Sequence, residues 1–264
     1  MHAAPTDAAA RRAQGAEPRM SALLPTVLHL ADNALVLGQR NAEWCGHGPL
    51  LEEDIAMANI SLDLIGQARL LYALAARLQG GDGPQASAPK TEDDYAFWRS
   101  EAEFRNLTLC ELPHCAALSG NARTDRDYAV TIVRNFLYSA WMLQVWGQLQ
   151  QGDGDAQPLA DIAGKSVKET RYHLRHARDW LVRMGDGTAE SHARAQAALD
   201  HLMPYTQEFW AQPGLAGEAA RAAWSAAVDE ALAEATLVRP ADAPQMAATG
   251  SQGRHSEHMG YLLA

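Results

Sequence analysis

Asn59, Asp63 and Gln67 stand four residues apart in the stretch ANISLDLIGQARLLY, and Glu169, His173 and His176 stand four and three apart in KETRYHLRHARDW. On a helix both spacings put side chains on one line. Carboxylates, imidazoles and an amide on such lines are the material of a metal site, or of a satisfied polar network inside a bundle. Two irons held in a helical bundle make a specific demand. Two helices each supply a Glu and two others each supply Glu-x-x-His, all pointing inward. The carboxylates bridge and hold the metals as hard ligands, and imidazole completes each shell.

The sequence meets little of that demand. A first core helix has Glu43 near its end. Where a second should carry Glu-x-x-His, the chain has Leu64 and Gln67. Leucine cannot ligate, and an amide is a poor substitute for imidazole. From Tyr128 to Gln151 a third helix has neither Asp nor Glu, so no shift of register supplies its carboxylate. On the fourth, His173 is preceded at the required spacing by Thr170. Glu169, His173 and His176 share a face and suit one weakly held ion or hydrogen-bonded core positions. Near the C-terminus, His255 and His258 stand three apart beside Glu257. That grouping suits chelation, partner docking or a helix start capped by Ser256. The residues thus outline a two-iron bundle without a competent two-iron site.

The elements that must position these residues read almost entirely as helix. Helical periodicity and punctuation place helices at about 21–42, 50–78, 124–150, 158–184, 188–211 and 216–236. A shorter one starts near Thr91 and carries YAFWRSEAEFRNLTL, and SEHMGYLLA forms a last one. CGHGP, QGGDGPQASAP, QGDGD, GDGT and RPADAPQMAATGSQG punctuate them. Met57, Ile60, Leu64, Ala68, Leu71, Ala75 and Leu78 form one apolar stripe on the second helix, and Ile55, Ala58, Leu62, Ile65 and Tyr72 a neighbouring one. So wide an apolar arc predicts a helix inside a bundle. Trp141, Trp146, Trp180, Trp210 and Trp224 are candidates for core or interface, most of them core. No strand-like alternation or fixed-period repeat appears, which predicts an all-α bundle of four core helices with additions.

Composition narrows the classes further. A net charge of −10 over 264 residues argues against non-specific nucleic-acid binding, which needs basic surface. No apolar run reaches the ~18 residues of a membrane span. Cys45, Cys110 and Cys115 form no C-x-x-C pair, which suits small thiols in a reducing cytosol. Residues 1–20 lack a secretory h-region and read as a disordered tail, with Met20 a candidate start. Residues 21–264 read as a single helical domain.

The stretches LADNALVLGQRNAEWCGHGPLLEEDIAMANISLDLIGQARLLY, AAWSAAVDEALAEATLVRP, KSVKETRYHLRHARDWLVRMGDGT and GRHSEHMGYLL carry a family resemblance. Together they resemble the PaaC family, the C subunits of phenylacetyl-CoA epoxidase, over about residues 24–262, with AEWCGHGP and RYHLRHARDWLVRMGDGT the most specific. The resemblance implies a ferritin-like fold. It implies a cytoplasmic, noncatalytic structural subunit that pairs with a homologous A subunit. The di-iron centre resides in that A subunit, which is also the main binder of phenylacetyl-CoA. With accessory subunits and a flavin and iron–sulfur reductase, the complex uses NADPH and O2 to epoxidise the CoA-activated ring in aerobic phenylacetate breakdown. No cofactor is implied in this chain: Leu64, Gln67 and Thr170 stand where a catalytic relative has Glu, His and Glu, while Glu43 and His173 match isolated positions. Two rival readings remain. One is a self-sufficient metal enzyme using Glu169, His173 and His176. The other is an acyl-CoA-binding bundle with Arg171, Arg175 and Arg178 as a basic strip, against the plainer reading of a solvated face.

Overall fold

The structure, a computed structural model, describes residues 7–79, 90–115, 125–212, 214–241 and 249–264. Its helices are α1 (Asp7–Ala42), α2 (Leu51–Gln79), α3 (Glu92–Phe97), α4 (Thr108–Glu111), α5 (Tyr128–Leu149), α6 (Gln157–Gly185), α7 (Ala189–Leu202), α8 (Glu218–Glu234) and α9 (His258–Leu263). No strand occurs among the described residues. Hairpins α1–α2 and α5–α6 form the four-helix core, with α7 and α8 packed on α5. This is the all-α, ferritin-like bundle with additional helices.

Local chemistry explains several boundaries. Acidic Glu52, Glu53 and Asp54 occupy the first turn of α2, where the helix dipole favours them. Gly48 just before it donates its N–H to Asp54 Oδ2 at 3.0 Å, and a Cβ there would lie 2.7 Å from the Asp54 backbone. Thr91 and Asp94 form a reciprocal capping box on α3, and Asp127 caps α5. Helix α5 is buried around its whole circumference from Tyr128 to Met142, which is why its sequence lacks a polar face. Trp141, Trp146 and Trp224 are buried, and Trp180 and Trp210 pack half-buried against the same core.

Some expectations change. Helix α1 starts at Asp7, within the stretch expected to be a disordered tail; Ala, Arg, Gln and Glu there favour helix. Residues 1–6 of that stretch lie outside the described residues, as does Thr124. The helix from Thr91 stops at Phe97, and the chain continues through a 3-10 turn at Glu101–Glu103 to α4. Residues Met203–Trp210 are 3-10 rather than α, following Pro204. Ser256 does not cap α9: its Oγ is buried without a partner, and Glu257 holds the cap position. Of the second apolar stripe of α2, Ile55, Leu62 and Ile65 lie outside the bundle, with Leu62 66% exposed, while Tyr72 is buried in it.

A polar line on α1 holds the segment that crosses it. His29 Nδ1 donates to Arg105 O at 2.6 Å and its Nε2 accepts from Asn33. Asn33 Oδ1 accepts from Leu107 N, and buried Asp32 accepts from Arg105 N, Tyr72 and Arg99. Arg40 donates to Glu111 O. These side chains satisfy backbone groups of an irregular segment that would otherwise be buried unpaired.

Candidate functional site

The two polar lines singled out in the sequence do meet. Helices α2 and α6 face each other, and three bonds cross between them. Gln67 Nε2 donates to Glu169 Oε2 at 2.9 Å, His173 Nε2 to Asp63 Oδ2 at 3.0 Å, and His176 Nε2 to Glu53 Oε2 at 2.8 Å. Tyr128 of α5 donates to the same Glu53 oxygen at 2.6 Å. Burial and this carboxylate push the Tyr128 hydroxyl well above its usual range, so it remains a protonated donor. Leu64 and Thr170 are buried beside the seam, and Asn59 is exposed. Glu53 and Tyr128 were not singled out in the sequence. The only signal for Glu53 was its place in an acidic first turn, which the helix dipole explains as well.

Glu43 does not join these residues. Gly38 is the α1 residue opposite Leu64: a Cβ on it would lie 3.3 Å from Leu64 Cβ. Glu43 lies about 7.5 Å further along the helix at 1.5 Å per residue. There it binds Arg40 at 2.5 Å and stands 3.7 Å from His114. His114 is buried as a neutral ring. Its Nε2 donates to Arg40 O at 2.7 Å and its Nδ1 accepts from Thr131. Burial, then the Arg134 charge, keep its pKa well below the usual imidazole value.

The residue set does not fit a two-iron site. Leu64 offers no donor atom, the Gln67 amide and His173 ring are each bonded to a carboxylate across the seam, and α5 brings Asn135 and Tyr138 rather than Asp or Glu. Among the described residues, no three His, Cys, Asp or Glu side chains group closely enough to hold a metal ion.

The C-terminal histidines serve the chain itself. His255 Nδ1 donates to Glu111 Oε2 at 2.7 Å and Nε2 to Phe104 O at 3.2 Å, so both ring nitrogens are donors. Burial opposes that charge, but Glu111, the Phe104 carbonyl and Glu101 together raise the His255 pKa. Glu111, itself fully buried, also accepts from Asn106 and from Ser256 N. A second buried carboxylate, Glu208, accepts from Thr108 N, Ser251 N and Ser251 Oγ at 2.7–2.8 Å. Of the three residues expected to dock a partner, His255 is therefore held inside, while Glu257 is exposed and His258 mostly covered. In the basic strip, Arg178 pairs with Glu234 and Glu230, Arg175 lies over Tyr172, and Arg171 is exposed. Cys45 is exposed, and Cys110 and Cys115 are buried. A cleft of about 290 Å³ opens beside Tyr128 and Trp180, lined mainly by apolar Pro49, Leu50 and Met184 with Arg194.

Fold and site together define a ferritin-like bundle in which Gln67 and His173 are held by hydrogen bonds between α2 and α6. The chain belongs to the phenylacetic acid catabolic protein family, PaaA_PaaC, whose family model matches residues 6–264. It is 41% identical to the C subunit of the 1,2-phenylacetyl-CoA epoxidase of Escherichia coli (strain K12) over 257 residues, which cover 93% of this chain and 94% of that protein. The resemblance to the PaaC family thus extends over nearly the whole chain, and with it a role in phenylacetate catabolism. Among the described residues no helix is long and apolar enough to cross a membrane.

Proposed function

We propose that this chain is the noncatalytic structural subunit of a ring 1,2-phenylacetyl-CoA epoxidase. It packs against the di-iron A subunit and stabilises it within a cytoplasmic assembly that also holds accessory subunits and a reductase. The A subunit provides the iron chemistry and most of the phenylacetyl-CoA contacts. The observation that carries this reading is the α2–α6 seam, where Gln67 and His173 are bound to Glu169 and Asp63. A catalytic bundle must bury charged ligands whose desolvation only the metal compensates. Here the same level of the bundle is closed by Leu64, Thr170 and the hydrogen bonds of Gln67 and His173, which suits a scaffold. A homologous bundle of this kind adds stiffness to its partner without placing a second reactive centre in the assembly.

The test has two arms. The full chain, expressed alone in iron-replete medium and passed through gel filtration, should carry iron near zero by elemental analysis. It should also co-purify with the A subunit and raise that subunit's melting temperature. Close to two irons per chain, or failure to bind the A subunit, would overturn the reading.

A further inference from the structure

Three arginines surround one buried imidazole. His114 Nε2 donates to Arg40 O at 2.7 Å, and His114 Nδ1 accepts from Thr131, which lies one helical turn before Arg134 on α5. Burial, then the charges of Arg134, Arg40 and Arg126, hold the ring neutral. The long side chains from α1 and α5 reach the same short segment. Arg40 Nη2 donates to Glu111 O and Arg134 Nη2 to Pro113 O, each at 2.6 Å. The next residues of the two helices, Asn41 and Asn135, bond each other reciprocally at 2.8 and 3.0 Å. Both guanidiniums are therefore fixed at the root and at the tip. Arg134 is fully buried and Arg40 is 5% exposed.

Donors in this cluster outnumber acceptors. Arg40 Nε, Arg126 Nε, and Nε and Nη1 of Arg134 are buried without a partner. The carboxylates around them are committed elsewhere: Glu43 binds Arg40, and Glu111 holds His255, Asn106 and Ser256 N. A chain of net charge −10 thus carries a local excess of positive charge in its core. We propose that the cluster binds a small monovalent anion of halide size, held by the unpaired N–H groups of Arg134 with Arg40 beside it. The chemistry of the groups selects the ligand. Guanidinium offers donors and no acceptor, which excludes a cation. A water molecule can accept those bonds but leaves the buried charge uncompensated, and an unpaired buried charge is strongly unfavourable. Complete burial of Arg134 favours a single atom over a larger oxyanion. The bound anion ties α1, α5 and the Glu111–Pro113 segment together, and this holds whichever function the chain performs.

The test uses bromide as the probe, with the full-length wild-type chain and Arg134→Met. Crystals grown in sodium bromide are read by anomalous difference density. Melting temperature is followed as bromide replaces gluconate, an anion too large for a fully buried site, at constant ionic strength. A bromide peak against the Arg134 guanidinium is expected in wild type. The wild-type midpoint should rise by about 2–4 °C and level off as the site fills. Arg134→Met should show neither the peak nor the saturable rise. In gluconate alone the buried charge stands uncompensated and Arg134→Met is the more stable protein; bromide narrows that gap by stabilising wild type only. Bromide peaks confined to surface side chains would mean an adventitious ion only and overturn the site. Water in place of bromide against Arg134, or equal midpoint changes in the two proteins, would overturn it too. If Arg134→Met does not fold, the wild-type peak and the wild-type saturation curve decide alone.

Discussion

The Nε2 of His173 donates to Asp63 Oδ2 across 3.0 Å, and this bond ties α6 to α2. The His173 ring is buried while Asp63 is 38% exposed, so the two partners differ in what their loss entails. Removing the ring leaves a small cavity and a carboxylate that water can reach. Removing Asp63 leaves a buried ring without its acceptor. His173→Ala should lower unfolding free energy by about 2 kcal/mol, mostly through lost packing. Asp63→Ala should lower it by about 1 kcal/mol, because the partly exposed carboxylate's bond competes with water. Urea unfolding of both variants measures this. A change below a few tenths of a kcal/mol in His173→Ala would remove the structural role assigned to the seam.

Glu111 should matter more than any residue of that seam. It is fully buried and accepts from His255, Asn106 and the Ser256 backbone at once. Glu111→Gln keeps the size but loses the charge and turns one acceptor oxygen into a donor. Bonds to a charged acceptor contribute about 1.5–3 kcal/mol each, and an unsatisfied buried donor adds to the loss, so a drop of about 3 kcal/mol is expected. The C-terminal segment should loosen first. Limited trypsin digestion should cut after Arg254 faster in Glu111→Gln than in wild type, before the rest of the chain opens.

Much of this was legible in the sequence, and the gaps have physical causes. The helices and the Thr91 start follow from periodicity and capping, which are local. The polar lines Asp63–Gln67 and Glu169–His176 were visible because helical spacing put each on one face. Which pairs they formed was not, since that depends on the register between α2 and α6. Register also misplaced Glu43: sequence can count its position in α1 but not see that Gly38 is the residue opposite Leu64. The apolar arc of α2 gave its width without saying which part had a partner within the chain. Glu111 and Glu208 left no pattern, because most of their partners, the His255 ring and the backbone N–H groups of Ser256, Thr108 and Ser251, are distant in sequence.

The buried histidines set a pH dependence. Burial, with help from Arg134 and His258, holds the His201 pKa down to about 4. The unfolded chain takes up a proton there as pH falls through about 6.5, while the folded chain resists until about 4. Stability therefore falls as pH drops between those values and levels off below them. His29 and His114, also lowered by burial, act in the same direction. His255 acts oppositely: its raised pKa contributes stability that is fully present below about 6.5 and lost as pH rises through the raised value. The melting temperature should fall from pH 7 to pH 4.5, and less steeply in His201→Gln. Equal slopes in the two proteins would remove His201 from the account.

Arg134 is the least satisfied charge in the described core. It is fully buried, donates only from Nη2 to Pro113 O at 2.6 Å, and leaves Nε and Nη1 without partners. No carboxylate forms an ion pair with it among the described residues, and burial together with Arg40 pulls its pKa down to about 9. A buried charge without a counter-charge opposes folding, and replacement by an apolar side chain of similar length is commonly neutral or stabilising by about 1–4 kcal/mol. Arg134→Met gives up the bond to Pro113 O, worth about 1 kcal/mol, and removes the desolvated guanidinium. The balance favours the variant, which should unfold at higher urea with an unchanged slope. A clear loss of stability in Arg134→Met would mean that the guanidinium holds the Pro113 segment against α5 more firmly than its single bond suggests.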